Sequence, residues 1–83
     1  MTIVNGLGLH ARAAAKFVKL AGRFASQVRV TRGQRTVDGK SILGLLLLAA
    51  ARGSAIDISA DGPDEAQALD ALCALVERGF EEA

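Results

Sequence analysis

The apolar residues of this chain switch between two spacings, and that rhythm constrains the fold more than any other feature. Between Ala11 and Phe24 the positions Ala14, Phe17, Val18, Ala21 and Phe24 recur at the interval of one helix face. From Gln27 to Thr31 the period drops to two, which puts Val28 and Val30 on one side of a strand. Arg32-Gly33-Gln34 reads as a hairpin turn and Arg35 to Val37 as its return strand, closed by Asp38-Gly39. Ser54 to Ala60 alternates again, with Ile56 and Ile58 facing in. Ala66, Leu69, Leu72, Cys73 and Val76 then restore helical spacing after the turn Asp61-Gly62-Pro63. Pro63 falls in that helix's first turn, where Asp64 and Glu65 complement its dipole.

Two segments need a second argument. Ser41 precedes I-L-G-L-L-L-L-A-A, which is too apolar for a surface loop. Serine is a strong N-cap, so the spacing predicts a helix from Ile42 to Ala50, ended by Gly53. Thr2 to Asn5 alternates and reads as a short first strand before Gly6-Leu7-Gly8. The tail after Gly79, Phe80 to Ala83, is expected to fray. The resulting order, β-α-β-β-α-β-α, defines an α+β protein. Four antiparallel strands form a sheet covered on one side by three helices, an open-faced two-layer sandwich. With 83 residues and about half of them apolar, residues 1–83 are expected to make one domain.

Composition removes several functions. The longest apolar stretch, Leu45 to Ala51, is far short of the ~18 residues that span a bilayer, so no membrane segment is expected. A lone Cys73 forms no internal disulfide, in keeping with a reducing cytoplasm. One His and one Cys cannot supply four N/S ligands, so no metal is expected. No Trp or Tyr and only three Phe leave no base-stacking platform for nucleic acid. Charge is unevenly divided. Met1 to Val37 carries seven basic residues and no acid, whereas Asp38 to Ala83 carries nine acids and three basic residues. Such a basic half steers an acidic partner or an anion, unless the two halves spend their charge on each other.

The one histidine, His10, sits in L-G-L-H-A-R-A-A at the start of the first predicted helix, at or beside its N-cap. The first N–H groups of a helix lack internal partners, and the dipole places partial positive charge there. That setting disfavours imidazolium and favours an anion formed on the ring, with Arg12 two residues on. A phosphoryl group transferred to His10 changes the charge in the favoured direction. On residues alone a plain capping role competes with this chemistry. So does a general-base role with Ser26, Ser41, Ser54 or Ser59, although none lies in a nucleophile elbow. Gly6-Leu7-Gly8 lacks the third glycine and the parallel βαβ setting of a dinucleotide site. Arg12, Lys16, Lys19 and Arg23 fall on one stripe of the helix.

G-L-H-A-R-A-A-A-K-F closely resembles the active-site signature of the HPr family, the histidine-containing phosphocarriers of the bacterial phosphotransferase system. G-K-S-I-L-G-L-L-L-L-A-A resembles that family's second signature, around a regulatory serine. G-S-A-I-D-I-S-A-D-G-P-D-E-A-Q-A-L resembles its last strand and helix start, so the likeness spans essentially the whole chain. The resemblance implies the same open-faced sandwich and a carrier that is not itself a turnover enzyme. It implies that His10 takes a phosphoryl group from phospho-enzyme I and passes it to an enzyme IIA protein, with Arg12 beside the phosphate. It implies regulatory phosphorylation of Ser41 by a serine kinase, reversed by a phosphorylase. Lys16, Lys19 and Arg23 with Ile42, Leu43 and Leu46 would then dock acidic partners. Leu45 and Leu48 are candidates for the core. No cofactor is implied for the chain itself, and a cytoplasmic monomer is expected.

Two departures stand out. The family usually has proline where this chain has Ala13, and it usually has more residues before the histidine, so the first strand is expected to be clipped. Three rivals follow from the same residues. One is the nitrogen-related branch of the family, which acts by binding partners according to phosphorylation state. Another is a small hydrolase or transferase with His10 as base, and the third is a nucleic-acid binder using the basic half.

Overall fold

A hairpin organises the sheet. In the computed structural model, which describes residues 1–82, β1 (Gln27–Arg32) turns back through Gly33-Gln34 into β2 (Arg35–Asp38). β3 (Asp57–Asp61) pairs with the other edge of β1, giving an antiparallel sheet of order β2-β1-β3. Val30 lies opposite Val37 on one side and Ile58 on the other. Val28 and Val30 point inward and are buried, while Arg29 faces out. The predicted period of two therefore reports the sheet's faces correctly.

Three helices cover the inner face: α1 (Ala11–Ala21), α2 (Ile42–Leu47) and α3 (Glu65–Glu77). α1 packs against both other helices, and α3 packs on β3. Phe17 from α1, Leu45 from α2 and Leu72 and Val76 from α3 meet Val28 and Val30 in one core with Ile3 and Phe80. The expected α+β class and one-sided cover are what the fold shows.

The expected fourth strand is reduced to an isolated bridge, Thr2 with Ala55, within the described residues. Met1 and Ile56 do exchange both backbone hydrogen bonds, at 2.7 and 2.8 Å. The ladder then breaks at Ile3, whose N–H donates to Ser54 while its carbonyl takes the N–H of Gly53 at 2.8 Å. Two residues oppose one, and Gly53 holds φ 89, the geometry of a bulge with glycine in its left-handed position. Gly53 thus ends a strand pairing, where the sequence had suggested that it ends a helix.

α2 stops earlier than expected. Its cap is Leu48, and Ala49 turns left-handed at φ 50. Two arginines satisfy the freed carbonyls, Arg35 Nη1 donating to Leu47 O at 2.8 Å and Arg32 Nη1 to Leu48 O at 3.1 Å. Burial of Leu48 and Ala50 on either side of the turn holds it in place. α1 likewise ends at Ala21, three residues before the expected Phe24. α3 starts at Glu65, so Pro63 precedes the helix. The side chain of its N-cap, Asp64, makes no bond to its own helix. The carboxylate instead accepts from the N–H groups of Ala25 and Ser26, both at 2.9 Å, and from Ser26 Oγ. The buried stripe of α3 is Ala68, Leu72, Leu75 and Val76, rotated from the expected one; Ala66 is exposed and Leu69 and Cys73 are half-buried.

The tail does not fray up to Glu82. Gly79, Phe80 and Glu81 form a turn in which all three residues are left-handed, at φ 63, 56 and 62. Phe80 is fully buried, and Lys16 Nζ holds its carbonyl at 2.8 Å. The expectation for Ala83 lies outside the described residues.

Candidate functional site

The loop before α1 is a sharp turn, Gly8 N–H donating to Asn5 O at 3.1 Å. Gly8 has φ 67, and a Cβ there would sit 2.6 Å from Ala50 O, so only glycine allows this approach. The next residue, Leu9, donates to that same carbonyl at 2.9 Å. The loop carrying His10 is thereby docked on the exit of α2.

His10 is the N-cap of α1, in extended conformation. Its Nδ1 accepts the N–H of Arg12 at 3.3 Å, as a capping side chain does. Its Nε2 lies 2.6 Å from Glu82 Oε2. The other Glu82 oxygen accepts from Asn5 Nδ2 at 2.6 Å, and the same amide donates to Gly8 O at 2.7 Å. The Asn5 hydrogen bond, reinforced by the His10 ring and by Lys16, holds the Glu82 carboxyl below its usual value, against the opposing effect of burial. The His10 side chain is 27% exposed and that of Glu82 16%.

Other expected residues fall into two groups. Arg12 is exposed in the first turn of α1. Lys16, Lys19 and Arg23 line a shallow groove between α1 and α3, together with Leu20, Leu75, Arg78 and the acid Glu81. Lys16 is half-buried and tied to the tail, so it is not a free member of a solvated stripe. Ser41 caps α2, its Oγ accepting from Gly44 N–H at 3.0 Å. Ile42, Leu43 and Leu46 are exposed around it, Leu43 by 70%, and Leu47 joins them. Leu45 and Leu48 are buried, as expected.

Among the described residues the one ion-pair contact is His10 with Glu82. Lys16, Arg32, Arg35 and Lys40 reach backbone carbonyls instead. The basic half therefore does not spend its charge on the acidic half in short ion pairs. No group of three or more His, Cys, Asp or Glu among the described residues is arranged to hold a metal. No described helix is long and apolar enough to cross a membrane.

Asn5, Phe80 and Glu82 were missed as site residues. No spacing rule connects residue 82 to residue 10. The available signal was Phe80, an aromatic side chain too large to leave in a solvated tail.

The site is thus a partly exposed imidazole at the start of α1, with Lys16, Lys19 and Arg23 further along that helix and an exposed apolar face on α2. The family model described as "PTS HPr component phosphorylation site" matches residues 1–78. The phosphocarrier protein HPr of Cupriavidus necator is 56% identical over 81 residues, covering 98% of this chain and 91% of its own. The phosphocarrier protein NPr of Shewanella violacea is 45% identical over 83 residues, covering 100% of this chain and 91% of its own. A crystal structure of HPr from Thermoanaerobacter tengcongensis has a TM-score of 0.96 at 42% identity, covering 100% of this chain and 93% of that one. The chain belongs to the HPr family of phosphotransferase-system phosphocarriers.

Proposed function

We propose that His10 is the phosphoryl acceptor of this carrier, taking the group from phospho-enzyme I and giving it to an enzyme IIA protein. The observation that carries the reading is the orientation of the ring. Nδ1 accepts a hydrogen bond from the Arg12 N–H, so it bears the lone pair, at the positive end of α1. In transfer, that lone pair forms a bond to phosphorus. The bond between phosphorus and the donor atom breaks, and its electron pair stays with the donor. The arriving oxygens meet the first-turn N–H groups and the Arg12 guanidinium, both suited to phosphate. Onward transfer reverses these steps.

In this reading Lys16, Lys19 and Arg23 steer acidic partners, and Ile42, Leu43 and Leu46 make the apolar contact. A kinase acting on Ser41 would place a dianion beside that contact and repel an acidic partner. The protein acts in the cytoplasm as a single-domain monomer and is a phosphoryl carrier rather than a turnover catalyst. Likeness to an NPr favours a second reading, in which the phosphorylation state of His10 governs binding to regulatory targets.

Phosphoenolpyruvate-dependent labelling with purified enzyme I tests the first reading. Acid-labile label on the wild type and none on His10→Ala is the expected result. Undiminished label on His10→Ala would sink it. Target binding that survives in an unlabelled His10→Ala protein would support the second reading.

A further inference from the structure

We infer that Glu82 is a positioning residue for phosphoryl transfer, its carboxylate keeping the His10 proton on Nε2 and offsetting the charge the ring gains when Nδ1 is phosphorylated. The inference rests on His10 being the acceptor.

Two contacts on opposite sides of the ring demand one tautomer. An N–H donor at Nδ1 requires a bare nitrogen there, and a carboxylate at Nε2 requires a proton there. The Arg12 contact is long, at 3.3 Å, whereas the Glu82 contact is 2.6 Å, so the carboxylate dominates the choice. As Nδ1 gives its electron pair to phosphorus, the ring becomes substituted at both nitrogens and turns cationic. Glu82 faces that charge directly, as the carboxylate does in a Ser-His-Asp triad. When the N–P bond breaks in onward transfer, the pair returns to Nδ1. The ring is then neutral again, with its proton still on Nε2.

The tail is built to hold this carboxylate. Phe80 and Glu81 adopt the left-handed region, which disfavours any residue with a Cβ. The conformation persists because Phe80 is anchored in the core and Lys16 binds its carbonyl. Asn5, itself buried, then clamps the second carboxylate oxygen and ties it to the Gly8 turn that presents His10. Sequence position 82 thus becomes part of the His10 environment through four anchored neighbours, not through proximity in the chain.

Glu82→Ala leaves Phe80 and its anchor in place, so the variant keeps its fold. Two readouts apply: the initial rate of phosphorylation by enzyme I and phosphoenolpyruvate, and the ring nitrogen chemical shifts of the unphosphorylated protein at a pH where imidazoles are neutral. Glu82→Ala is expected to shift the ring toward a mixture of tautomers and to slow acceptance about tenfold, the lower end for losing a ring-orienting partner. Glu82→Gln offers an acceptor without charge, so it should hold the tautomer and fall between. Wild-type shifts or a wild-type rate in Glu82→Ala overturns the inference, and a wild-type rate in Glu82→Gln overturns its charge-offset half. Label on His10→Ala would instead overturn the acceptor reading, leaving the tautomer result to stand by itself.

Discussion

Two helices of this protein begin with the same device and depend on it to different degrees. α1 opens at His10, whose ring nitrogen accepts an N–H two residues on; α2 opens at Ser41, whose hydroxyl accepts one three residues on. Both caps are extended, and neither helix has an acid in its first turn. The difference lies in what else holds each start. α1 runs eleven residues, buries Ala13, Ala14, Phe17 and Ala21, and has its cap clamped by Glu82. α2 runs six residues, buries Leu45, and leaves Ile42, Leu43, Leu46 and Leu47 in solvent. A helix that short does not stand by itself. It relies on Ser41 at one end and on Arg32 and Arg35 at the other. The fold holds the first cap in place, whereas the second cap holds its helix in place. That asymmetry suits a fixed chemical group at His10 and an adjustable surface at α2.

The largest effect should come from the anchor on the α1 side. Phe80 is fully buried and its turn supports both Lys16 and Glu82. Phe80→Ala is expected to cost about 3–5 kcal/mol in urea unfolding, the usual range for emptying a core aromatic site. A loss under about 1 kcal/mol would mean that the tail contributes little to the fold, and the contrast between a clamped and an unclamped cap would collapse.

The caps themselves rank next. Ser41→Ala should lose about 1 kcal/mol, or about 4–8 °C in thermal midpoint for a domain of this size. His10→Ala should lose about 0.5 kcal/mol or less, because its capping bond is long and α1 has a buried face of its own. Paired thermal melts of the two variants decide the matter. The reverse order would show that α1, not α2, leans on its cap.

The two starts were also unequally legible from sequence. Both caps followed from local rules, since a serine before an apolar run and a histidine before helical periodicity each mark a boundary within a few residues. Period two points Val28, Val30, Ile56 and Ile58 inward, and the first three are buried while Ile58 is half-buried; Leu45 and Leu48, the core candidates of α2, are both buried. What escaped was whatever depends on the chain meeting itself. Glu82 reaches His10 across 72 positions. Asp64 stands at the start of α3, as its local sequence implies, but its carboxylate also ties Ala25 and Ser26 across 39 and 38 positions. Gly53 follows an apolar run and so reads locally as a helix end, but it makes a bulge against Ile3, which is why the first strand is cut to a bridge. α2 is shorter than its propensity suggests: Leu48, Ala49 and Ala50 are good helix formers, but burial of Leu48 and Ala50 on either side of a left-handed Ala49 overrides that preference.

Acid should expose the smallest effect, and it separates the clamp at His10 from a second carboxylate. The hydrogen bond from Ser26 Oγ, with the N–H of Ala25, holds Asp64 below its usual value, and Asn5 does the same for Glu82. A carboxyl depressed in the fold binds its proton more readily when unfolded. Its stabilisation is therefore complete above the unfolded value and declines as pH falls through the folded one. For Glu82 the decline begins near the ordinary 4.5, and for Asp64 near 3.8, each continuing below. Urea midpoints between about pH 6 and pH 3 should fall in the wild type. Glu82→Gln and Asp64→Asn should each start lower at the upper end and lose less on acidification, so their curves converge on the wild type. Curves that stay parallel to the wild type would show that the carboxylate in question is as well solvated folded as unfolded. For Glu82, that result would also remove the clamp that sets the cap of α1 apart from the cap of α2.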